Sequence, residues 1–268
     1  MGPYLAALHR HASLINQNPS SDLLEAKMNS QTLIPDDTQP FEIIYNVKWL
    51  DLLFRNNDRG PHNLSKPHFE VNLNSPASPC PSVEGLRTVV AVRPEELLAA
   101  EQLVRRRYAW RGYRLAPTQD LGMASLGAEG RRTTLLAEDC GQLLGTVTVR
   151  PDSPQGLLAE QTYAAEVEGL RRKGHRIAEV VKLAVEEGAN WKAILGALVH
   201  STYFLTRFVH ALTDVLIEVN PRHVRFYQGI LGFVVAATER LCSRVGAPAV
   251  LMQLDLQQFG QRLQLSAM

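Results

Sequence analysis

The segment Asn220-Pro221-Arg222-His223-Val224-Arg225-Phe226-Tyr227 brings a carboxamide, an imidazole and a phenol close together along the chain. A phenol keeps its proton near neutral pH and can give it to a leaving group, so Tyr227 is a candidate general acid. Two carboxylates stand in otherwise apolar runs, Glu179 in Ile177–Val185 and Glu218 in Asp214–Val219. Burying a carboxylate is costly unless it faces a cleft or a partner. Glu179 is therefore the first candidate for a general base and Glu218 the second. Lys182, three positions on, points to the opposite side of a flat strand and is no easy partner for Glu179. Plainer readings stand beside these: a tyrosine ring packed in an amphipathic helix, and a Glu179 at a solvated strand end. His223 is a candidate substrate contact. His200 and His210 lie in an apolar segment without metal-ligand spacing and read as core or rim histidines, and no metal is expected.

The elements around these residues follow from periodicity and punctuation. Asp214–Val219 reads as a buried strand. Asn220-Pro221 then opens a helix, Asn as N-cap and Pro in the first turn. Phe226, Ile230 and Phe233 recur at helical spacing, and Gly232 is a natural stop. Upstream, the pattern predicts a strand over 88–93 and a helix from Pro94 to Tyr108 or Trp110. A hairpin of 133–138 with 143–149 follows, then a short helix over 157–167. The strand Ile177–Val185 and a long apolar helix over 191–212 come next, and strands over 238–244 and 249–256 close the pattern. One parallel crossover among antiparallel hairpins makes an α+β layer architecture.

At 268 residues and 45% hydrophobic, the chain can hold a sizeable core, and a net charge of +1 gives no global field for nucleic acid or an anionic membrane. Cys80, Cys140 and Cys242 are few and scattered, which suits a reducing compartment. No secretory signal or spanning apolar run is read. Ala6 stands where a myristoylation signal needs Ser or Thr, and a cytoplasmic protein is expected. Residues 1–85 are rich in Asn, Ser, Pro and Asp and read as a disordered or loosely packed leader, with 41–47 alternating weakly like a strand and 48–54 as a possible short helix. The domain is expected over 86–260, with 261–268 as a tail. An extended arm covering that domain is the other reading of the leader.

The strand, the Asn-initiated helix with Phe226-Tyr227 and the Leu231-Gly232-Phe233 exit resemble the acyl-thioester half of the GNAT N-acyltransferase superfamily. A closer resemblance is to the N-acyl amino acid synthases, relatives of the acyl-homoserine-lactone autoinducer synthases. It is carried by Arg105-x-x-Tyr108 with Gly112-Tyr113, by Glu179–Ala184, by Glu218–His223 with Phe226-Tyr227, and by the closing strand 247–256. The resemblance implies a GNAT fold over about 170 residues. It also implies a pantetheine arm lying between strands 177–185 and 214–219, Tyr227 aimed at the thioester sulfur, and substrate contacts from Asn220, His223, Arg105, Tyr108 and Glu218. A Glu-Arg-x-x-Trp-Asp cluster of the autoinducer synthases is missing, which argues against a lactone product. Asp120 is the only acid in the 117–120 loop.

Many acetyl-CoA enzymes of this superfamily hold the pyrophosphate in a Gln/Arg-x-x-Gly-x-Gly/Ala turn at a helix N-terminus. The equivalent stretch here, Glu186-Glu187-Gly188-Ala189-Asn190, has one glycine and two acids. An acyl carrier protein presents the same arm with a single phosphate and no nucleotide, and the basic runs 105–114 and 171–176 would suit its acidic surface. Solvated faces are the plainer account of those runs. Leu195, Leu198, Phe204, Leu205 and Phe208 could wall an acyl tunnel or be ordinary core. The resulting expectation is an N-acyltransferase that moves a long acyl group from acyl carrier protein to an amino acid or similar small amine, without a tightly bound cofactor. A CoA-dependent N-acyltransferase and a non-catalytic module that binds acyl carrier protein are the alternatives.

Overall fold

The computed structural model describes residues 85–113 and 132–267 together with the strand Glu42–Ile43, and side chains through residue 263. In chain order the strands are β1 (Glu42–Ile43), β2 (Leu86–Val90), β3 (Thr133–Asp139), β4 (Gln142–Pro151), β5 (Ile177–Val185), β6 (Asp214–Val219), β7 (Val234–Cys242) and β8 (Ala247–Asp255). The helices are α1 (Pro94–Trp110), α2 (Glu160–Arg172), α3 (Trp191–Phe204), α4 (Val224–Phe226, extended by flanking turns) and α5 (Leu256–Ala267). They surround one sheet in the order β1-β2-β3-β4-β5-β6-β8-β7. Every neighbouring pair is antiparallel except β5 with β6. This is the expected α+β layer architecture.

Helices α1 and α2 cover one face, seen in the clusters of Leu103 and Val104 with Ala184, and of Tyr163, Val167 and Leu170 with Ile177 and Leu216. The other face carries α3, α4 and α5, through Ile194, Leu198, Phe204, Leu231 and Phe259. A single bulge decides which β5 side chain meets which layer. Val181 pairs with Thr148 and Ala184 with Thr146, so β5 has an extra residue there, and Lys182 takes a left-handed φ of 57°. The extra residue reverses the alternation of the strand. Ala178 and Val180 face the α3 layer, whereas beyond the bulge Ala184 faces α1 and Leu183 and Val185 face α3.

Local chemistry explains the boundaries. Pro94 and the Arg93–Glu96 capping box start α1, the Glu96 carboxylate accepting the Val92 and Arg93 backbone N–H groups at 2.9 and 3.0 Å. Cys140 and Gly141 both have positive φ, 49° and 78°, as a tight hairpin turn between β3 and β4 requires. Strands β5 and β6 fall on the expected residues.

Several expectations need correction. The apolar helix over 191–212 is α-helical only to Phe204 and continues as a π turn, Leu205–Val209. The Thr206 hydroxyl bonds back to the carbonyls of Thr202 and Tyr203, at 2.8 and 3.2 Å, and competes with the helix ladder. The helix expected over 157–167 begins at Glu160, since carboxylates take the preceding N–H groups: Glu160 that of Leu157, Glu179 those of Leu158 and Ala159. Strand β7 starts at Val234 rather than at 238; two register shifts break the alternation there and leave Val234 and Val235 exposed on an edge. Helix α5 runs through the boundary drawn at residue 260 and buries Phe259 and Leu263. Of the leader, Glu42–Ile43 pairs with β2. The rest, including 48–54, and the Asp120 loop lie outside the described residues.

Two outcomes follow from this packing. A Cβ on Gly145 would sit 2.5 Å from Ile194 Cγ2 and 3.3 Å from the Ala184 carbonyl oxygen. Gly145→Ala is expected to cost about 1–3 kcal/mol, read as a lowered midpoint in denaturant unfolding. His200 is 4% exposed in α3, and burial lowers its pKa to about 4. Its folded pKa lies below the ordinary value of 6.5, so stability is full above pH 6.5 and falls as pH drops toward 4. The slope is about 1.4 kcal/mol per pH unit, and a His200→Gln variant should show a flatter acid limb in pH-dependent unfolding.

Candidate active site

Strands β5 and β6 pair only at Ile177–Asp214, Ala178–Val215 and Glu179–Leu216. Beyond these positions the bulged β5 and the straight β6 part, and the sheet opens between two parallel neighbours. This is the position where the sequence reading places the thioester arm.

Glu179 stands at the last paired position on the α2 face and is 2% exposed. Oε1 accepts the Leu158 N–H at 2.8 Å and lies 2.8 Å from Arg150 Nε; Oε2 accepts the Ala159 N–H at 3.0 Å. Each oxygen thus has a donor, and the carboxylate fixes the turn that leads into α2. As foreseen, Lys182 is not its partner: the ammonium pairs with Glu101 at 2.9 Å, which Arg105 also reaches at 3.3 Å.

Glu218 lies on the same sheet face as Leu216 and Glu179, but past the parting of the strands. Its side chain is 10% exposed. Oε2 pairs with the Arg244 guanidinium on the β7–β8 turn, while Oε1 is buried without a hydrogen-bond partner. Arg244 also feels Glu179, Arg150 and Tyr108, and burial lowers its pKa.

Helix α4 is composite: a 3₁₀ turn (Pro221–His223), an α turn (Val224–Phe226) and a π turn (Tyr227–Leu231). The Asn220 side chain accepts the Arg222 N–H at 3.3 Å and donates to the Pro248 carbonyl at 3.4 Å, so it caps the helix and ties it to β8. Gly232, at φ 80°, ends it. Tyr227 lies edge-on between Phe226 and Phe233, with centroids at 5.4 and 5.8 Å. Burial pushes its phenol up to about 12, so it stays protonated across the neutral range.

Tyr108, on the last turn of α1, is pushed up by burial and, less strongly, by the nearby Tyr227 and Tyr113. The end of α1 also touches the start of α4: Arg222 Nη2 donates to the Tyr113 hydroxyl at 2.9 Å, and Arg222 Nε to His223 Nε2 at 3.2 Å. Burial first, then Arg222 and Arg111, lower His223 to about 4. The imidazole is therefore neutral at pH 7.

At the far end of β5, Glu186 and Glu187 are held by Arg106 and Arg107, each at 2.8 Å. The Asn190 carboxamide accepts the Ala193 N–H and occupies the N-terminus of α3. Trp191 reaches Phe226 of α4, with centroids 6.2 Å apart.

The structure thus groups Tyr227, Tyr108, Glu218 and Glu179 around the parted strands, with His223 at the start of α4. Arg105 stays on α1 with Glu101, and Asn220 is taken up by capping. In the basic run 171–176, Arg171 pairs with Asp152 at 2.7 Å and Glu160 at 2.5 Å. Leu198, Phe204 and Leu205 fill the core, whereas Phe208 is 38% exposed. Sequence reasoning missed Arg150 and Arg244. Arg150 does end an apolar strand, a detectable signal; Arg244 sits in a polar turn that reads as solvated.

A family model described as N-acyl amino acid synthase FeeM matches residues 99–255. The solved structure of FeeM, an N-acyl amino acid synthase from uncultured soil microbes, is 25% identical with a TM-score of 0.60, covering 69% of this chain and 96% of that one. An acyl-CoA N-acyltransferase from Pseudomonas aeruginosa is 18% identical with a TM-score of 0.44, over 63% of this chain and 98% of its own. Mutant forms of the spermidine/spermine N-acetyltransferase SpeG from Vibrio cholerae give 14% and 0.47, over 67% and 98%. No curated protein matches the chain. A matching model that spans more than half of the chain, and a sheet that parts between β5 and β6 beside Tyr227, lead to one assignment: the chain belongs to the FeeM family of N-acyl amino acid synthases and is an acyltransferase of GNAT fold.

Proposed function

We propose that the protein transfers a long-chain acyl group from the phosphopantetheine thioester of acyl carrier protein to the amine of an amino acid, by direct attack in a ternary complex. The observation that carries this reading is the buried, protonated Tyr227 on the helix that leaves β6 where β5 and β6 part. The arm lies in that opening, and β5 backbone N–H groups that lack a β6 partner hold the thioester carbonyl. The acceptor ammonium passes one proton to a carboxylate. The amine lone pair then attacks the carbonyl carbon, the C–N bond forms and the C–S bond breaks. Sulfur leaves with the Tyr227 proton, and the second nitrogen proton restores the phenol.

We assign the base role to Glu218 rather than Glu179. Each Glu179 oxygen has a donor, whereas Glu218 Oε1 has none. Asn220 and Arg105 become positioning residues through their cap and ion pair. Tyr108 lines the site beside Tyr227, and His223 meets the donor.

Carrier protein is favoured over CoA by the loop before α3. Its two carboxylates and the Asn190 cap stand where a pyrophosphate would need free N–H groups and positive charge. Arg111 and Arg222 instead converge on His223, a place suited to the single phosphate of a carrier-borne arm. Among the described residues no helix is long and apolar enough to cross a membrane, and Cys140 and Cys242 are free thiols. Both fit work in the cytoplasm, where acyl carrier protein is found.

The test is acylation of a set of amino acids by the purified protein, with acyl carrier protein and CoA donors of the same chain length, read by mass spectrometry. Acyl amides formed at least about tenfold faster from the carrier donor are expected; equal or better use of CoA would overturn the donor assignment. Tyr227→Phe should lower kcat by roughly 10²-fold or more while the donor KM barely moves. Glu218→Gln and Glu179→Gln should each lose about 3–5 kcal/mol of stability, because each breaks a buried ion pair. Glu218→Gln should also lose kcat in the folded enzyme, whereas folded Glu179→Gln should keep it.

A further inference from the structure

The ion pair of Glu218 and Arg244 has an unusual remainder. Glu218 Oε1 is a buried acceptor without a donor, and Arg244 Nε–H is a buried donor without an acceptor. Their side chains are 10% and 23% exposed. Leaving such groups unpaired out of water is costly for each. Arg150 Nε–H is likewise without an acceptor, but both oxygens of Glu179 have backbone donors, so the idle carboxylate oxygen beside an idle guanidinium N–H sets the Glu218–Arg244 pair apart. Arg244 is also held in place. It stands on a tight turn closed by the Val245 and Gly246 N–H groups on the Cys242 carbonyl, and its Nη2 reaches Cys242 Sγ at 3.5 Å. The pair lies beyond Leu216, where β6 has left β5, and Tyr108 is close enough to feel the guanidinium.

One buried donor and one buried acceptor, side by side on a single ion pair, match a ligand that carries a carboxylate and an ammonium on neighbouring atoms. We propose that Arg244 reads the carboxylate of the amino-acid acceptor, which is held as a zwitterion between Arg244 and Glu218. The proposal rests on the acyl-transfer reading above and adds its specificity determinant. Arg244 Nη2 is engaged by Glu218 Oε2, so Nε–H is the donor left to meet a carboxylate. Glu218 Oε1 receives the ammonium and is placed to take its proton. A polyamine or a simple alkylamine would satisfy Glu218 and leave Arg244 Nε–H unpaired. The site therefore discriminates against acceptors that lack the carboxylate, since a buried group left without its partner penalises the wrong substrate.

The experiment compares one α-amino acid with its primary amide as acceptors, using the acyl carrier protein donor, for wild type and Arg244→Gln. The amide has the less basic amine, so a preference for the acid cannot arise from amine availability. In the wild type, kcat/KM for the free acid should exceed that for the amide by about 30-fold or more. Arg244→Gln should lower kcat on both acceptors, because Glu218 is left without its guanidinium, and should in addition raise the KM of the acid by a similar factor, so that the preference collapses. Equal losses on both acceptors would show a merely structural arginine and overturn the proposal, as would a wild type without preference. If Arg244→Gln fails to fold, thermal shift of the wild type decides: stabilisation by the free acid and not by the amide supports the assignment, and equal stabilisation overturns it. Absence of amide product from either acceptor would overturn the acyl-transfer reading itself, and is thereby told apart from a failure of the Arg244 assignment.

Discussion

The parting of β5 from β6 is the constraint on which the rest of the site depends. Two parallel strands in the middle of a sheet normally hydrogen-bond along their whole length, and a gap there strands backbone polar groups. The bulge at Lys182 produces the gap and limits its cost. It bends β5 away from β6 while β5 remains paired with β4 on its other edge. It also turns Ala184 toward α1, so the two cores on either side of the sheet stay filled. Lys182 itself, in a backbone conformation that L residues rarely adopt, is fastened to Glu101 of α1. The opening is thus built into a closed, well-packed sheet.

Around that opening the protein separates carboxylates by environment. Glu179 and Glu218 share a sheet face and lie near the same two arginines, yet their surroundings differ. One has a backbone donor on each oxygen and a guanidinium beside it, and does the work of a cap. The other is left with an idle oxygen. A chain that buries both must neutralise both, and Arg150 and Arg244 do so one apiece. Tyr227 and Tyr108 add desolvated phenols that keep their protons beside these carboxylates.

Much of this was legible in the residues. Strands β5 and β6 could be bounded to the residue because apolar runs between a Gly-His-Arg turn and an Asn-Pro stop leave little choice. The motif around Tyr227 also led to the correct helix and family. What failed to show were features made by tertiary approach. Nothing local to Glu179 announces that the N–H groups of Leu158 and Ala159 will come to it, and nothing local to Arg244 announces Glu218. The π turn after Phe204 depends on a Thr206 hydroxyl that could as well have faced outward. Helix α5 was missed because its apolar residues, Phe259 and Leu263, are few and follow directly on β8.

The two ends of the site are held by ion pairs of different kinds. At the far end of β5, Arg106 and Arg107 clasp the loop before α3 through pairs that each have one member open to solvent, Arg106 being 58% and Glu187 56% exposed. At the paired end of β5, the Arg150–Glu179 pair has its carboxylate almost wholly buried. Dissolved ions screen the first kind and hardly touch the second. Rising ionic strength therefore slackens the loop and the α1 end it grips, while the turn that Glu179 holds before α2 keeps its shape. The enzyme has a soft jaw and a hard one, set by solvent access to its carboxylates.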